Sequence, residues 1–265
     1  HSRNYGMERA KGRYFIVLDS DCILPPTYLE AVISKLNSQY VDGFGGPDAA
    51  KDSFTEFQKA INFSMTSYMT TGGIRGGKIP IENYEPRSFN MGISKEAFQA
   101  TGGFGRIHPG EDPDLSIRLK EMGYHLHLIP EAFVFHKRRI NLESFYTQVN
   151  KFGQARPILN KWHPQSKRLT YWFPTFFTLG LLLSSVQSIL GFHWFLIVYG
   201  LYFLAAMIGA FRTSNNIIVA FLVFPAIVIQ FFGYGFGFLK ATLKLGLSSK
   251  NETQLFPKLF FRAND

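Results

Sequence analysis

The sequence predicts an α/β domain followed by an α-helical membrane region, chiefly because the charge pattern changes sharply along the chain. Its 265 residues are enough for one or two domains with a sizeable core. Up to Arg168, strand-length apolar runs alternate with helical patterns, which is typical of an α/β layer structure. From Leu169 to Leu239 the only charged residue is Arg212, which indicates membrane. We therefore predict two domains, residues 1–168 and 169–265.

The overall composition is basic, with a formal net charge of +9 and a pI of about 9.6. Such a balance suits a nucleic acid, an anionic membrane surface or an anionic substrate. Nucleic acid fits least, because the basic residues cluster beside the apolar segments without interleaved aromatic side chains. The single cysteine, Cys22, excludes an intramolecular disulfide and a cysteine zinc cluster, and it fits a reducing compartment. The first residues, HSRNYGMERAKGR, lack the apolar core of a signal peptide.

Three membrane spans are predicted, at Tyr171–Leu190, His193–Phe211 and Ile217–Leu239. Each approaches the roughly 20 residues that cross the hydrocarbon core. The short Gly191-Phe192 connection makes the first two spans a hairpin. Lysine and arginine residues crowd the segment before the first span and place the soluble domain in the cytoplasm. The expected location is the cell inner (cytoplasmic) membrane, as a multi-pass protein.

The third span conflicts with the charge rule for membrane topology. Arg212 is expected inside, so a third full crossing would put Lys240, Lys244 and Lys250 outside. Two alternatives avoid this. The segment around Lys240 and Lys244 lies in the interface with both lysines on one face, or the segment containing Pro225 is re-entrant. Three spans with the C-terminal side unresolved are the preferred interpretation.

The soluble half carries strand patterns and helix-start signals. Helices are expected after capping boxes that begin at Thr27 and Ser53, reaching about Asn37 and Met69. Ser94 is expected to cap the helix KEAFQAT, and a later helix has Pro113 in its first turn and Gly123 after its end. Strands are predicted at Arg13–Leu18, Val41–Gly45, Arg87–Ile93, His125–Ile129 and Ala132–His136, with a mobile glycine-rich loop at Thr71–Pro80.

The first chemical motif, Asp19-Ser20-Asp21, directly follows an apolar strand. In an extended chain, residues two apart point to the same side, so Asp19 and Asp21 would present their carboxylates together. They would stand at the C-terminal end of a parallel-type strand, where ligands bind in open α/β sheets. Two hard oxygen donors suit Mg²⁺ or Mn²⁺ shared with a diphosphate. A turn alone also explains the pair, because aspartate favours strand-to-loop junctions.

The second motif is Glu111-Asp112-Pro113-Asp114. Asp112 before Pro113 is expected to be a helix N-cap, and the acidic residues complement the helix dipole. Capping and catalysis can coexist, because a carboxylate kept ionised at a helix N-terminus suits a general base facing an acceptor hydroxyl. Asp114 and Arg118, four residues apart, are expected to pair on the helix surface.

Taken together, these stretches resemble the family-2 glycosyltransferases with a GT-A fold. The stretches that carry the resemblance are GMERAKGRYF, VLDSD, SFNMGISKEAF and EDPDLSIRL, and they span about Asn4 to His163. Their order and spacing match the family pattern. The apolar C-terminal region fits the same family, in which cytoplasmic catalysis is often attached to C-terminal spans.

The resemblance implies a metal-dependent, inverting transfer from a nucleotide-diphosphate sugar to a lipid-linked or polysaccharide acceptor of the cell envelope. Asp21 would bind Mg²⁺ or Mn²⁺, and Asp19 would contact the nucleotide or the metal's water shell. Asp112 would be the base that deprotonates the acceptor, and Glu111 would position it. A divalent cation would offset the charge of the departing diphosphate.

Three further residues are weaker candidates for substrate binding. Asn90 would contact the acceptor or make a local backbone hydrogen bond, and His136 would help to bind the metal or diphosphate or be a satisfied strand-end histidine. Arg156 would reach a phosphate or lipid head group or be a solvated interfacial arginine. Processive synthases of the family carry Gln-x-x-Arg-Trp near the membrane, and here Gln154, Arg156 and Trp162 have the wrong spacing. Single-sugar transfer is therefore favoured.

The resemblance begins just before Asp19, so the family's N-terminal part is expected to be missing from this chain. That puts nucleotide-sugar binding by the chain alone in doubt and keeps a catalytically incomplete membrane scaffold as an alternative. The haloacid-dehalogenase-type phosphatases, which also place Asp-x-Asp after an apolar strand, are a second alternative. They are disfavoured, because Cys22 and Ile23 follow where those enzymes carry threonine or valine one residue after the second aspartate.

Overall fold

The computed structural model describes residues 2–49, 51, 53–72, 84–136 and 139–261. Most of the predicted glycine-rich loop, from residue 73 onward, lies outside them. Contacts divide the chain into two units. The first unit comprises residues 1–52, 71–137 and 256–265, and the second comprises residues 53–70 and 138–255. This division differs from the predicted domains, which meet at residue 168. The predicted boundary stays a prediction, because a contact unit need not be a folding domain.

The described residues form seven strands, eleven α-helices and three short 3-10 helices. The strands are β1 (Tyr14–Leu18), β2 (Cys22–Ile23), β3 (Gly43–Gly45), β4 (Asp48–Ala49), β5 (Asn90–Ser94), β6 (Leu126–Leu128) and β7 (Val134–His136). The helices are α1 (Ser2–Arg9), α2 (Tyr28–Ser38), α3 (Glu56–Thr66), α4 (Tyr68–Thr71), α5 (Lys95–Thr101), α6 (Glu111–Glu121), α7 (Leu142–Trp162), α8 (Phe173–Ile189), α9 (Trp194–Ser214), α10 (Ile217–Leu247) and α11 (Glu252–Leu255).

The first unit contains two small sheets. In the larger sheet the order is β1-β5-β3-β6, with β3 and β6 parallel and the other pairs antiparallel. In the smaller sheet the order is β2-β7-β4. Strand β1 was predicted to be of the parallel type, and this is wrong for the strand beside it in the described residues. It pairs antiparallel with β5, from Tyr14↔Ser94 to Leu18↔Asn90. A run of apolar residues indicates that a strand is buried, but burial does not determine whether the strand pairs parallel or antiparallel.

Helices cover both faces of the larger sheet, so the α/β expectation is confirmed. On one face, side chains of β1 and β5 such as Phe15 and Ile93 pack against α1, α5 and α6 in one apolar cluster. On the other face, Phe44 of β3 packs with Tyr28 and Val32 of α2 in a second cluster. The strand β5 is buried along its whole length, whereas Ile16 of β1 is exposed, so burial on both faces accounts for the apolar run of β5 and only in part for that of β1.

Helix starts follow the predicted capping residues only in part. The Ser94 side chain accepts a hydrogen bond from the Ala97 N–H at 3.1 Å, so this cap is confirmed. Thr27 precedes α2 but makes no side-chain cap, because its φ and ψ of −85° and 0° are not extended. The box opening α3 uses Thr55 with Gln58 in place of the predicted Ser53.

The N-cap of α6 is Gly110, with a φ of 124° that favours glycine. Asp112 is therefore the second helical residue, and its prediction as N-cap is wrong. Gly123 follows the helix end with a φ of 83°, as predicted. Arg118 pairs with Asp114 at 2.8 Å, which confirms the predicted ion pair.

The second unit contains three helices long and apolar enough to cross a membrane, at Leu169–Ile189, Trp194–Ser214 and Ile217–Leu247. Leu169–Trp172 is a 3-10 turn that continues into α8. The helix α10 runs unbroken through Pro225, so the re-entrant alternative, which needs the chain to reverse, is wrong.

Helix α7 packs closely along α10 because glycines line their contact. A Cβ atom at Gly153 would overlap the Tyr234 carbonyl oxygen, and one at Gly237 would overlap the carbonyl oxygen of Asn150. The Asn150 side-chain amide also donates to the Gly233 carbonyl at 2.9 Å. Small residues let helix backbones approach in this way in membrane proteins.

Candidate active site

The acidic segment that follows β1, Asp19 to Asp21, forms a turn. The Cys22 N–H donates to the Asp19 carbonyl at 3.1 Å, and the Asp19 N–H donates to the Phe89 carbonyl at 3.3 Å. The chain therefore does not stay extended after β1, and the expectation that Asp19 and Asp21 point to the same side for that reason is wrong. Their carboxylates enter two different groups of side chains.

The Asp19 carboxylate belongs to an ion-pair network centred on Arg3. Arg3 Nη2 lies 2.7 Å from Asp19 Oδ1, and Arg3 Nη1 lies 3.1 Å from Glu111 Oε1. Arg3 sits on α1, which is anchored because the Asn4 side chain bonds both the N–H and the carbonyl of Phe104 at 2.9 Å. This network links the two acidic motifs. Sequence reasoning missed Arg3, because no local pattern distinguishes it from other arginines of a basic N-terminal segment.

Glu111 is the most buried member of this network, with 4 % of its side chain exposed. His108 Nδ1 lies 2.9 Å from the same Oε1 atom that Arg3 contacts. Burial alone would raise the pKa of Glu111, but the hydrogen bond and charge of His108, helped by Arg3, outweigh it and lower that pKa. Glu111 is thus an ionised carboxylate held inside the first unit at neutral pH.

Asp112 lies in the first turn of α6, beside the segment that leads into β5. Its Oδ2 accepts a hydrogen bond from the Ser88 N–H at 3.4 Å and lies 3.9 Å from Arg87 Nη1. The side chain is 18 % exposed. The positive end of the α6 dipole and the Arg87 guanidinium therefore both lie beside this carboxylate.

Asp21 joins Cys22 and His136 at the start of the smaller sheet. Cys22 and His136 are directly paired residues of β2 and β7, and His136 Nε2 lies 3.5 Å from Asp21 Oδ1. One ligand atom from each residue lies within 4.8 Å of the others, so the three could hold a metal ion. The His136 ring stacks on Phe89 at 4.7 Å between centroids. Burial, helped by the charges of Asp21 and Asp19, raises the pKa of the Cys22 thiol to about 12.

One short segment before β5 contacts both parts of the site. The Ser88 N–H donates a hydrogen bond to the Asp112 carboxylate. The Phe89 carbonyl accepts hydrogen bonds from the Asp19 N–H and, at 3.4 Å, from Cys22 Sγ, and the Phe89 ring stacks on His136. The strand end that carries Asp19 and Asp21 and the helix start that carries Asp112 are therefore held at one place in the first unit.

Asn90 follows this segment and is fully buried. Its Oδ1 accepts from the Tyr28 hydroxyl at 2.6 Å, and its Nδ2 donates to the Ala132 carbonyl at 2.7 Å. The bond to Ala132 is a backbone hydrogen bond, as in the predicted alternative, but it is not local, because Ala132 lies 42 residues away. The amide joins β5, α2 and the loop before β7. A contact between Asn90 and the acceptor stays a prediction.

Arg156 belongs to the second unit, whereas the other predicted site residues belong to the first. It is 9 % exposed, and its guanidinium lies over the Tyr171 ring, 4.4 Å from the centroid. It is therefore a buried arginine rather than a solvated one, and its role toward a phosphate stays a prediction.

Comparison with known proteins assigns the chain to a family. Residues 14–232 match the model of glycosyl transferase family group 2, and the chain belongs to that family. The family resemblance predicted from the motifs is therefore confirmed. So is the fold class, a GT-A-type α/β domain followed by an α-helical apolar region. The phosphatase alternative has no support from this match.

A curated relative is succinoglycan biosynthesis protein ExoA of Rhizobium meliloti (strain 1021), which is 24 % identical over 146 residues. The match covers 54 % of this chain and 43 % of ExoA, so the chain spans less than half the length of that relative.

Two solved structures are similar at low identity. The first is the mannosyltransferase PcManGT from Pyrobaculum calidifontis in complex with GDP-Man and Mn²⁺, with 13 % identity and a TM-score of 0.48; the match covers 93 % of this chain and 66 % of that one. The second is S. aureus TarS 1-349 in complex with UDP-GlcNAc, with 11 % identity and a TM-score of 0.36; the match covers 94 % of this chain and 72 % of that one.

Proposed function

We propose that the protein is a membrane-bound, inverting glycosyltransferase that moves a sugar from a nucleotide-diphosphate sugar to an acceptor hydroxyl. Membership in glycosyl transferase family group 2 supports the reaction class. The observation that carries the proposal is that the segment Arg87–Phe89 contacts both Asp112 and the strand end with Asp19 and Asp21. A base and a diphosphate-binding group are needed close together for this chemistry.

In the proposed step, the Asp112 carboxylate accepts the proton of the acceptor hydroxyl. The acceptor oxygen bonds to the anomeric carbon while the bond from that carbon to the diphosphate oxygen breaks, and its electron pair stays on the diphosphate. Because base and leaving group stand on opposite faces of the sugar, the configuration inverts. Asp112 has the exposure that the role needs, at 18 %, whereas the neighbouring Glu111 has 4 %.

Glu111 acts as a positioning residue in this proposal. It is bonded to Arg3 and His108 and cannot reach an acceptor without breaking those contacts. Holding Glu111 fixes the first turn of α6, and hence the backbone that carries Asp112.

The residues present fit a divalent cation. The Asp21 side chain is 47 % exposed, and the His136 imidazole nitrogen lies 3.5 Å from it, a carboxylate and imidazole pair that suits Mn²⁺ and, through the oxygen, Mg²⁺. Asp21 and His136 would hold the ion. Asp19, whose Oδ1 contacts Arg3, would contact the nucleotide or the metal's water shell. When bound, the cation offsets charge on the departing nucleoside diphosphate.

The acceptor is proposed to be lipid-linked or a polysaccharide, with one sugar added per encounter. The relative ExoA is named for the biosynthesis of a glycan, and three apolar helices would keep the protein at a membrane surface where a lipid-linked acceptor lies. Arg156, buried beside Tyr171 in the second unit, would contact a phosphate of such an acceptor. The proposed location is the inner membrane with the first unit in the cytoplasm.

We further infer that both ends of the apolar region face the same side of the membrane. The chain after α11 returns to the first unit, where Ile107 and Phe260 form an antiparallel bridge, His108 N–H donates to the Leu259 carbonyl and Phe261 N–H to the Arg106 carbonyl. The chain must then cross an even number of times. The helices α8 and α9 would cross as a hairpin.

Helix α10 is then the one that does not cross. In the most apolar 18-residue stretch of α10, 44 % of the residues are buried inside the protein, whereas the corresponding fractions in the other two candidate spans are 22 % and 17 %. Its Ala226 packs with Ile61 of α3 and Phe145 of α7, two helices that carry charged side chains. Lys240 and Lys244 flank apolar side chains in a shallow depression on its surface, as expected of an interfacial helix.

The catalytic assignment is tested with Asp112→Asn in membranes that contain the protein, supplied with labelled nucleotide-diphosphate sugars and Mn²⁺. Transfer of label to the lipid or polymer fraction should fall by about 10²–10⁴-fold, the usual loss of a general base, while nucleotide binding persists. The matched control is Glu121→Gln, at the exposed far end of the same helix, which should keep wild-type transfer. Wild-type turnover in Asp112→Asn would show that Asp112 is not the base.

A further inference from the structure

We propose that Asp21, Cys22 and His136 form a binding site for Zn²⁺ and related thiolate-accepting cations. The site shares Asp21 and His136 with the proposed position of the harder Mg²⁺ or Mn²⁺. Binding itself stands on the geometry alone, whereas its consequence for sugar transfer rests on the proposed function.

The strand pairing brings the sulfur and the imidazole together. Cys22 and His136 are Cα partners in the antiparallel β2–β7 pair, so their side chains leave the sheet on the same face. The three ligand atoms lie within 4.8 Å of one another, whereas ligands of a tetrahedral zinc ion stand about 3.5 Å apart. Shifts of about 1 Å would close the site. Asp21 is half-exposed in a turn and can make such a shift.

The histidine is held with Nε2 toward Asp21. Its ring stacks on Phe89, its Nε2 lies 3.5 Å from Asp21, and its buried Nδ1 lies 3.7 Å from Asp48 Oδ2. Among the described residues, Nδ1 makes no hydrogen bond. A carboxylate next to the distal nitrogen is the usual outer partner of a zinc-binding histidine, because it orients the ring and raises its basicity.

The donor set favours zinc over magnesium. Sulfur selects softer ions, and a mixed nitrogen, oxygen and sulfur site binds Zn²⁺ more tightly than Mn²⁺ in the usual order of affinities. When Cys22 Sγ bonds the ion, its proton leaves to solvent and the contact from Sγ to the Phe89 carbonyl at 3.4 Å is given up. Since Asp21 cannot serve both ions in full, Zn²⁺ should compete with the cation that supports transfer.

The binding test uses purified, detergent-solubilised protein titrated with Cd²⁺, which reports a sulfur ligand through thiolate-to-cadmium charge-transfer absorption. Cys22 is the only cysteine in the 265 residues, so the band is assignable to one atom. It should saturate at one ion per chain and disappear in Cys22→Ser. In Asp21→Asn and His136→Gln the affinity should drop at least about tenfold, since even outer partners of a metal site cost that much. His127→Gln, on β6 outside the group, should leave the affinity unchanged.

Absence of the band, or a band of unchanged affinity in both Asp21→Asn and His136→Gln, would overturn the site, because either result means no ion is shared by the three residues. Circular dichroism of the metal-free variants checks that each retains the fold. In the transfer assay with Mn²⁺, Zn²⁺ should inhibit the wild type and require at least about tenfold higher concentration in Cys22→Ser. A band without any transfer would refute the proposed function alone, and transfer without a band would refute the zinc site alone.

Discussion

Arg3 joins two acidic motifs that lie far apart in the chain. Its guanidinium contacts Asp19, 16 residues away, and Glu111, 108 residues away. One arginine therefore couples the turn after β1 to the start of α6 by two charge-assisted hydrogen bonds. Asp19 and Glu111 therefore share one ion-pair network, in which Glu111 is buried, whereas the neighbouring Asp112 lies beside Arg87 and is more exposed.

The lowered pKa of Glu111 predicts an acid-dependent loss of stability. A carboxyl group whose folded pKa lies below its ordinary value of 4.5 stabilises the folded state above that pH, and the contribution is lost as the pH falls through the folded pKa. We expect the free energy of unfolding of the wild type to decrease below pH 4.5. Glu111→Gln, which does not titrate, should lose less over the same interval.

The measurement is the thermal midpoint of the detergent-solubilised protein at a series of pH values. Glu143→Gln is the control, because Glu143 lies at the start of α7 and makes no ion pair within the described residues. Its profile should follow the wild type. Parallel profiles for Glu111→Gln and the wild type would contradict the assignment.

Helix caps provide a prediction at the scale of single elements. Ser94 caps α5 through its side chain, and Thr27, at the equivalent position of α2, does not. Ser94→Ala should therefore lower the free energy of unfolding by about 1 kcal/mol, whereas Thr27→Ala should change it by a few tenths at most. Chemical denaturation of the two variants side by side measures the difference. Equal losses would mean that the cap bond is not what stabilises α5.

The contact between α7 and α10 predicts a second matched pair. A Cβ at Gly237 would meet the Asn150 backbone, whereas a Cβ at Gly246, in the same helix, would have no neighbouring atom within 4 Å. Gly237→Ala should destabilise the protein by about 1–3 kcal/mol through overpacking. Gly246→Ala should be neutral or slightly stabilising, since alanine favours helix by about 1 kcal/mol.

Thermal unfolding of the two glycine variants in the same detergent separates these effects. A Gly237→Ala variant as stable as Gly246→Ala would show that α7 moves away from α10 without cost.

At the scale of the whole molecule, the return of residues 256–261 to the first unit decides the expected topology. The 31-residue α10 is about 46 Å long, more than the roughly 30 Å of a hydrocarbon core, so length alone does not show that it crosses. We expect Lys250 and Lys11 to face the same side of the membrane and Gly191, in the α8–α9 turn, to face the other.

Single cysteines introduced as Lys250→Cys, Lys11→Cys and Gly191→Cys, each in a Cys22→Ser background, test this with an impermeant maleimide. In right-side-out vesicles only the Gly191→Cys variant should react, and in inverted vesicles only the other two. Reaction of Lys250→Cys together with Gly191→Cys would mean that α10 crosses as a third span.

Local signals in the sequence determined much of the architecture. The alternation of apolar and amphipathic segments, the three long apolar helices, the Ser94 cap and the Asp114–Arg118 pair all depend on neighbours within a few residues, so spacing predicts them. The order of four motifs was enough to indicate the family that the comparison then confirmed.

Only the tertiary structure decided which polar groups meet. The turn after β1 separates Asp19 from Asp21, and that turn follows from contacts with Phe89, 70 residues downstream of Asp19. The pairing of Cys22 with His136 and the bridge through Arg3 likewise join distant segments. Side-chain partners of this kind depend on how strands and helices pack, and no periodicity along the chain encodes them. The sequence by itself therefore determined the kind of protein and its acidic motifs. The fold decided how those motifs are divided between the Arg3 ion-pair network and the group of Asp21, Cys22 and His136.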